Sequence, residues 1–150
     1  MGRFPSGVTV VTSWVDDAPF GSTVSAFCSV SLEPPLLLIC LALENPMCAA
    51  IPACGSFGVN ILAEDGHALA RRFAFAPEAE RFRALDWRST PGGAPQLDEA
   101  AVFIDCRVHE VVTAGDHLVV IGEGLRIDHR SLGASLVYHH GRMHGSPAAP

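Results

Sequence analysis

Residues Gly21 to Leu43 read GSTVSAFCSVSLEPPLLLICLAL, and this is where the chain concentrates groups that can do chemistry. The first half offers hydroxyls and accessible backbone with little side-chain bulk. The second half is an unbroken apolar run with the look of a buried strand. A strand edge of small polar residues beside a packed core suits a flat ligand rich in heteroatoms. The same residues can also simply pack an edge strand, so the rest of the chain must decide. Pro34-Pro35 separates the halves, because proline fixes φ and lacks an N–H, and the hydrogen-bond ladder must stop or run at an edge there.

Other reactive groups exclude more than they establish. No G-x-G-x-x-G follows a strand, and Gly122-Glu123-Gly124 fails at the third glycine, so a Rossmann nucleotide site is not indicated. All ten basic residues are arginine, so no phosphate-loop lysine exists. No G-x-S-x-G elbow appears. The carboxylate pairs Asp16-Asp17 and Asp98-Glu99 fall in turns and read as solvated. His139, His140 and His144 invite a metal, but adjacent strand residues point to opposite faces, so no metal is expected. The five cysteines, at 28, 40, 48, 54 and 106, form no Cys-x-x-Cys pair and read as free thiols in a reducing cytoplasm.

A net charge of −6 without a basic stripe argues against nucleic acid. Leu36 to Leu43 is far shorter than the about 20 residues of a membrane-spanning helix. MGRFPSGVTVV lacks the charged-then-apolar pattern of a signal peptide, so a cytoplasmic protein is expected. With 49% hydrophobic and only 17% charged residues, the 150-residue chain reads as one domain, residues 1–150, with apolar surface to spare for a subunit contact.

The elements that must position these groups are mostly strands. Val8 to Val15 is rich in β-branched residues; Asp16 to Pro19 turns the chain, and Phe20 to Phe27 returns as the partner strand of a hairpin. Leu36 to Leu43 reads as a central strand. Asn45-Pro46 starts a short helix that Pro52 and Gly55 end. Ser56 to Leu62 alternates as a half-buried strand. Asp65 can cap a helix reaching about Phe75, with Leu69, Phe73 and Ala70 on its apolar face, and Glu78 to Leu85 offers another turn or two. Thr90 to Asp98 reads as a loop. Ala101 to Val112 alternates, with Val102, Ile104, Cys106 and Val108 facing one way and Asp105, Arg107 and His109 the other. Beyond the Ala114-Gly115-Asp116 turn, His117 to Asp128 places Val119, Ile121, Leu125 and Ile127 in phase. Leu136 to His140 is a last short strand before a polar tail. Links this short suit an antiparallel barrel or sandwich rather than a doubly wound parallel sheet.

Six ordered segments resemble one family. Arg3-Phe4-Pro5-Ser6-Gly7-Val8-Thr9-Val10-Val11-Thr12, Gly21 to Pro35 and Phe57-Gly58-Val59-Asn60-Ile61-Leu62 are similar to the first three blocks of the flavin reductase-like family. Arg71-Arg72-Phe73-Ala74, Gly115-Asp116-His117 and Tyr138-His139-His140-Gly141-Arg142 resemble its later signatures. The family comprises the short-chain reductase partners of two-component flavin-dependent monooxygenases. The resemblance implies a mainly β fold, an antiparallel split β-barrel of Greek-key type with two or three short helices, in a homodimer. It implies FMN or FAD as cofactor, NADH or NADPH as co-substrate, and hydride transfer to flavin N5. Reduced flavin would then diffuse to a separate monooxygenase. The alternative is a split-barrel protein that holds flavin without efficient turnover.

Carried onto this chain, the resemblance implies that Thr23, Val24, Ser25 and Ala26 line the flavin. Ser29, Ser31 and Leu32 would bring backbone N–H groups to the polar edge of its ring, where fixed donors stabilise charge that develops on reduction. Asn45 opens the helix whose start would take the phosphate, with Arg72 adding charge and Phe73 flanking the cofactor. His117, Tyr138, His139, His140, Gly141 and Arg142 would meet NAD(P)H. No dedicated catalytic acid or base is implied, since proximity and orientation carry hydride transfer. The chain departs from the family at Glu44 to Cys48: Met47 stands where a threonine is common, and Glu44 adds a carboxylate.

Overall fold

A computed structural model describes residues 3–89, 93–130 and 133–147. In chain order the strands are β1 (Ser6–Gly7), β2 (Thr9–Val15), β3 (Ala18–Val24), β4 (Phe27–Ser31), β5 (Leu36–Ala42), β6 (Ser56–Ile61), β7 (Trp87–Arg88), β8 (Gln96–Leu97), β9 (Val102–Ala114), β10 (His117–His129), β11 (Leu136–His139) and β12 (Arg142–Gly145). Helix α1 spans Met47–Cys54, α2 His67–Phe75 and α3 Glu78–Arg81. Seven strands form one antiparallel sheet in the order β3-β2-β6-β9-β10-β5-β4. A three-stranded sheet, β1-β11-β12, and the pair β7-β8 complete the β structure.

The connection between β3 and β4 dictates the overall shape. These strands are the two edges of the seven-stranded sheet, yet only Ser25 and Ala26 separate them. A flat sheet of seven strands would hold its edges roughly 28 Å apart, whereas that much chain reaches only about 10 Å. The sheet must therefore roll up until its edges nearly meet, and β3 indeed comes against β5. The result is a split barrel, mainly β and antiparallel, with Ser25-Ala26 at the seam.

Both faces of the rolled sheet are buried over much of their area. Val11, Phe20, Ile39, Phe57, Val59 and Val120 are among the side chains filling the barrel, which Met47 and Ile51 of α1 help to close. Val10, one residue from Val11 and pointing the opposite way, belongs to a second core with Leu62, Leu69, Phe73, Leu97 and Leu136. That second core lies under α2 and the β11-β12 hairpin.

Several local expectations are corrected. Pro52 lies inside α1 rather than ending it; Gly55 ends the helix at φ 74°, a left-handed position that glycine adopts without steric cost. Asp65 does not cap α2, which begins after Gly66 without a side-chain cap. Strand β3 stops at Val24, because the chain must leave that edge to become β4. Asp105 is buried rather than outward-facing, accepting the Ala94 N–H at 3.2 Å. Along β10 the buried phase is Leu118 and Val120, while Leu125 and Ile127 are exposed; register shifts between Ile121 and Gly122 and between Gly124 and Arg126 interrupt the simple alternation. Of the Thr90–Asp98 loop, residues 90–92 lie outside the described residues, and Gln96–Leu97 pairs with Trp87–Arg88. Part of the expected polar tail forms β12. Among the described residues no helix is long and apolar enough to cross a membrane.

Candidate functional site

The seam of the barrel opens into a cavity of about 560 Å³, within the size range of small-molecule sites. From the seam and β4 it is lined by Ser25, Ala26, Phe27 and Cys28, and from β5 by Leu38 and Cys40. Phe4, Ser6 and Tyr138 close it from the small sheet. The seam is held by short-range backbone bonds: the Phe27 N–H donates to Ser25 O at 3.1 Å, and the Cys40 N–H to Ala26 O at 3.0 Å. Ser25 and Ala26 themselves are exposed to the cavity. Tyr138 arrives because β1 and β11 pair with Ser6 opposite Tyr138. Burial, then the neighbouring Cys28, raises the Cys40 thiol above its ordinary value and keeps it protonated.

A second hollow, about 310 Å³, shares Phe27 with the first and is lined by Ser29, Ser31, Pro35, Leu36 and residues 124–127. It lies along β4, whose outer edge pairs with no other strand among the described residues. That edge leaves backbone donors and acceptors open to a ligand. Leu32 stands at the tip of the β4-β5 turn, 89% exposed, and lines neither hollow.

Beyond Cys40 the track along β5 continues to a third group. His117 lies opposite Ala42, and the Leu43 N–H donates to Asp116 O at 3.0 Å, which stitches the β9-β10 turn to the end of β5. Asn45 follows at once, its Oδ1 accepting the Met47 N–H at 3.0 Å and ordering the start of α1. His117 Nδ1 lies 2.8 Å from Asp116 Oδ1, and this hydrogen bond holds the Asp116 carboxyl below its usual range. Burial, then the carboxylate of Glu44, raises the Cys48 thiol. The structure thus brings Ser25, Ala26 and Tyr138 to one cavity, and Asn45 and His117 to the far end of the strand that lines it.

Four expected flavin contacts face elsewhere. Phe73 is 0% exposed and packs edge-on to Phe82 at 5.1 Å, so it has no free face to flank a ligand. The Arg72 guanidinium donates to the carbonyls of Glu80 and Arg83, away from the seam cavity. The Thr23 hydroxyl donates to Ala70 O at 2.7 Å, towards α2. Val24 is buried in the barrel. Their signatures read equally as packing: Thr23 and Val24 are turned by the β2-β3 register, and Arg72 and Phe73 by the packing of α2, neither of which has a signal in the sequence.

At the C-terminal signature, His140 and Gly141 form the turn between β11 and β12 with φ of 52° and 74°. This corrects the expectation that neighbouring histidines point apart: the turn brings the His139 and His140 rings to 4.3 Å between centroids. Among the described residues no group of three or more metal-ligating side chains comes together. Phe4, Cys28, Leu38 and Cys40 were not singled out as lining residues. Phe4 lies in the first family-like segment, but only the pairing of β1 with β11 places it at the seam.

The profile of the flavin reductase like domain matches residues 1–147. The reductase subunit HsaB of a flavin-dependent monooxygenase from Mycobacterium tuberculosis is 39% identical over 122 residues, covering 81% of this chain and 65% of that protein. A flavin reductase (NADH) from Kitasatospora aureofaciens is 43% identical over 125 residues, with the same two coverages, 81% and 65%. The crystal structure of BorF, the flavin reductase component of a bacterial two-component tryptophan halogenase, superposes with a TM-score of 0.89 at 34% identity, covering 99% of this chain and 94% of that one. The chain spans 39% of the length of a probable flavin reductase from Rhizobium meliloti and 84% of that of the FMN reductase (NADH) RutF from Variovorax paradoxus.

Proposed function

The chain belongs to the flavin reductase like domain family, and on that premise we propose that it oxidises NADH or NADPH, reduces FMN or FAD, and releases the reduced flavin to a separate monooxygenase. The observation that carries this reading is the seam cavity, where exposed Ser25 and Ala26 leave room for a planar ring between β4 and Tyr138. Its lining fits a flavin: an apolar wall from Leu38, Phe27 and Phe4 for the ring system, and hydroxyls and an open strand edge for its heteroatoms. A bound flavin supplies a two-electron acceptor for hydride.

In this reading Ser25 and Ala26 hold the ring close to the backbone. Ser29 and Ser31 present the bare edge of β4 to its polar side, while Leu32 stands beyond it at the turn. Asn45 orders the start of α1, to which we assign the flavin phosphate. His117, Tyr138, His139, His140, Gly141 and Arg142 receive the nicotinamide dinucleotide. No side chain in the cavity has to exchange a proton with the donor, and orientation supplies the main rate effect. The exposed apolar residues Val30, Leu32, Val112, Leu125 and Ile127 support a homodimer, since isolated large hydrophobics gain by burial against a second copy.

The test is to mix the purified protein with NADH or NADPH and with FMN, FAD or riboflavin, following the nicotinamide absorbance. Flavin-dependent oxidation with at least one pair is expected. Tight flavin binding without oxidation would instead identify a protein that holds its cofactor. No flavin-dependent oxidation and no binding with any pair would sink the reading.

A further inference from the structure

The reductase reading leaves two thiols of the seam cavity without a role. Cys28 of β4 and Cys40 of β5 both line it. The register explains why. Cys28 lies opposite Leu38, and Cys40 is two residues further along β5, so Cys28, Leu38 and Cys40 point to one face of the sheet. The Cys40 N–H donates to Ala26 O at 3.0 Å, which puts Ala26 opposite Cys40. Cys28 and Cys40 are thus diagonal neighbours, with Ala26 and Leu38 at the other two corners. Their proximity is felt electrostatically: after burial, Cys28 is the second cause of the raised Cys40 thiol. Cys40 Sγ makes no hydrogen bond among the described residues, and Cys28 Sγ donates to the carbonyl of the adjacent Ser29 at 3.0 Å. The other three cysteines lie elsewhere. Cys48 and Cys54 are on α1, bonded to Ala42 O and Ser56 O at 3.2 Å each, and Cys106 is buried in the barrel.

The rest of the lining decides what two thiols here can hold. Among the described residues no carboxylate, imidazole or side-chain amide lines the cavity; its walls are apolar, with the hydroxyls of Ser6, Ser25 and Tyr138. Hard cations need about six or more oxygen ligands, and a structural zinc site needs about four ligands. Neither set is present, since among the described residues no three His, Cys, Asp or Glu side chains come together. A soft d10 cation such as Cu(I) is satisfied by two thiolates in line, and sulfur ligands select it. The spacing points the same way. Diagonal neighbours of an antiparallel pair sit about 7–8 Å apart, beyond the roughly 4.4–6.8 Å between Cα atoms that a disulfide spans. A metal ion between the sulfurs replaces one bond of about 2 Å with two of about 2.3 Å, and so bridges the wider gap with β4 in place.

We propose that Cys28 and Cys40 form a two-coordinate thiolate site for a soft monovalent cation, Cu(I), inside the seam cavity. Each cation displaces two thiol protons to solvent and gains two metal–sulfur bonds; no electron changes hands. The site stands on the two thiols alone. Its consequence rests on the reductase reading: a cation held there occupies the room assigned to the flavin ring, so copper and flavin exclude each other.

Cu(I), presented to the reduced, oxygen-free protein as its coloured bicinchoninate complex, is the probe, because the colour fades as the protein takes the metal. Wild type is expected to take one equivalent tightly, and X-ray absorption of the loaded protein to show two sulfur ligands. Cys28→Ser and Cys40→Ser are each expected to weaken that binding at least about a hundredfold, since one of the two thiolates is lost. Cys48→Ser and Cys54→Ser leave it unchanged, and thermal melts report the folding of every variant. No tight uptake by wild type, uptake that survives Cys28→Ser or Cys40→Ser, or a copper shell with nitrogen or further sulfur ligands overturns the site. FMN titrated into the copper-loaded protein separates this site from the reductase reading. Weakened FMN binding supports a shared cavity. Unchanged FMN binding beside bound copper leaves the thiol site standing and moves the flavin out of the cavity.

Discussion

The two edge strands of the seven-stranded sheet come within two residues of each other and are treated in opposite ways. The β3 edge is covered. Thr23 is bonded to the Ala70 carbonyl of α2, Arg81 of α3 donates to Gly21 O at 2.8 Å, and Phe73 packs so closely that a Cβ on Gly21 would lie 2.6 Å from its ring. The β4 edge is bare: Cys28, Ser29 and Val30 are exposed, and two hollows open along it. An uncovered strand edge ordinarily invites association, and proteins blunt or cover it. Here one edge is covered and its neighbour is left open where the barrel splits, so the polar residues near the seam divide into those that hold the fold and those that are left exposed along the cavity.

This contrast can be broken by substitutions on either side of the seam. Phe73→Ala has the largest expected effect on stability, a loss of about 3–5 kcal/mol from the cavity left in the second core. Urea denaturation measures it, and a loss below about 1 kcal/mol would show that α2 does not seal the β3 edge. Thr23→Val removes the hydrogen bond to Ala70 O and should cost about 1 kcal/mol while leaving flavin affinity as in wild type. A large fall in flavin affinity with intact stability would move Thr23 to the ligand side.

The smallest effect is expected at Asp105, away from both edges. Burial lifts its carboxyl above the ordinary range, outweighing the Ala94 N–H and the nearby Arg126, while Asp128 lifts it further. The folded state therefore holds this proton more tightly than the unfolded chain. Its contribution to stability is full below the unfolded value and is lost as pH rises through the folded one. Asp105→Asn should flatten that part of the pH profile, raising Tm relative to wild type by a few degrees at most between acid and neutral pH. An unchanged difference in Tm across that range would rule out the titration of Asp105 as its source.

The strands were legible because their residues carry the signal locally. β-branched runs, the Pro34-Pro35 break and the Gly115 turn mark β2, β5, β9 and β10 to within a residue or two. The seam was not legible, because closure depends on which strands pair, and nothing in Ser25-Ala26 says that β4 joins β5 rather than continuing β3. The same gap explains the site residues. Ser25, Ala26 and Tyr138 line one cavity. Thr23, Arg72 and Phe73 have equally suitable chemistry but are claimed by α2 and α3 through contacts of long sequence separation. Phe4 and Cys40 carry no signal as lining residues, because an N-terminal aromatic and a thiol in an apolar run have no periodic mark.

The central claim is that the bare edge at the seam binds flavin. Ser25→Trp tests it most directly, since residue 25 is exposed and an indole there would fill the cavity without disturbing either core. Titrating FMN and FAD by fluorescence quenching into wild type and variant, with thermal melts alongside, is the measurement. The account predicts loss of flavin binding by at least about tenfold, more than 1.4 kcal/mol, at an unchanged Tm. Wild-type flavin affinity in a folded Ser25→Trp variant would contradict it and place the cofactor elsewhere.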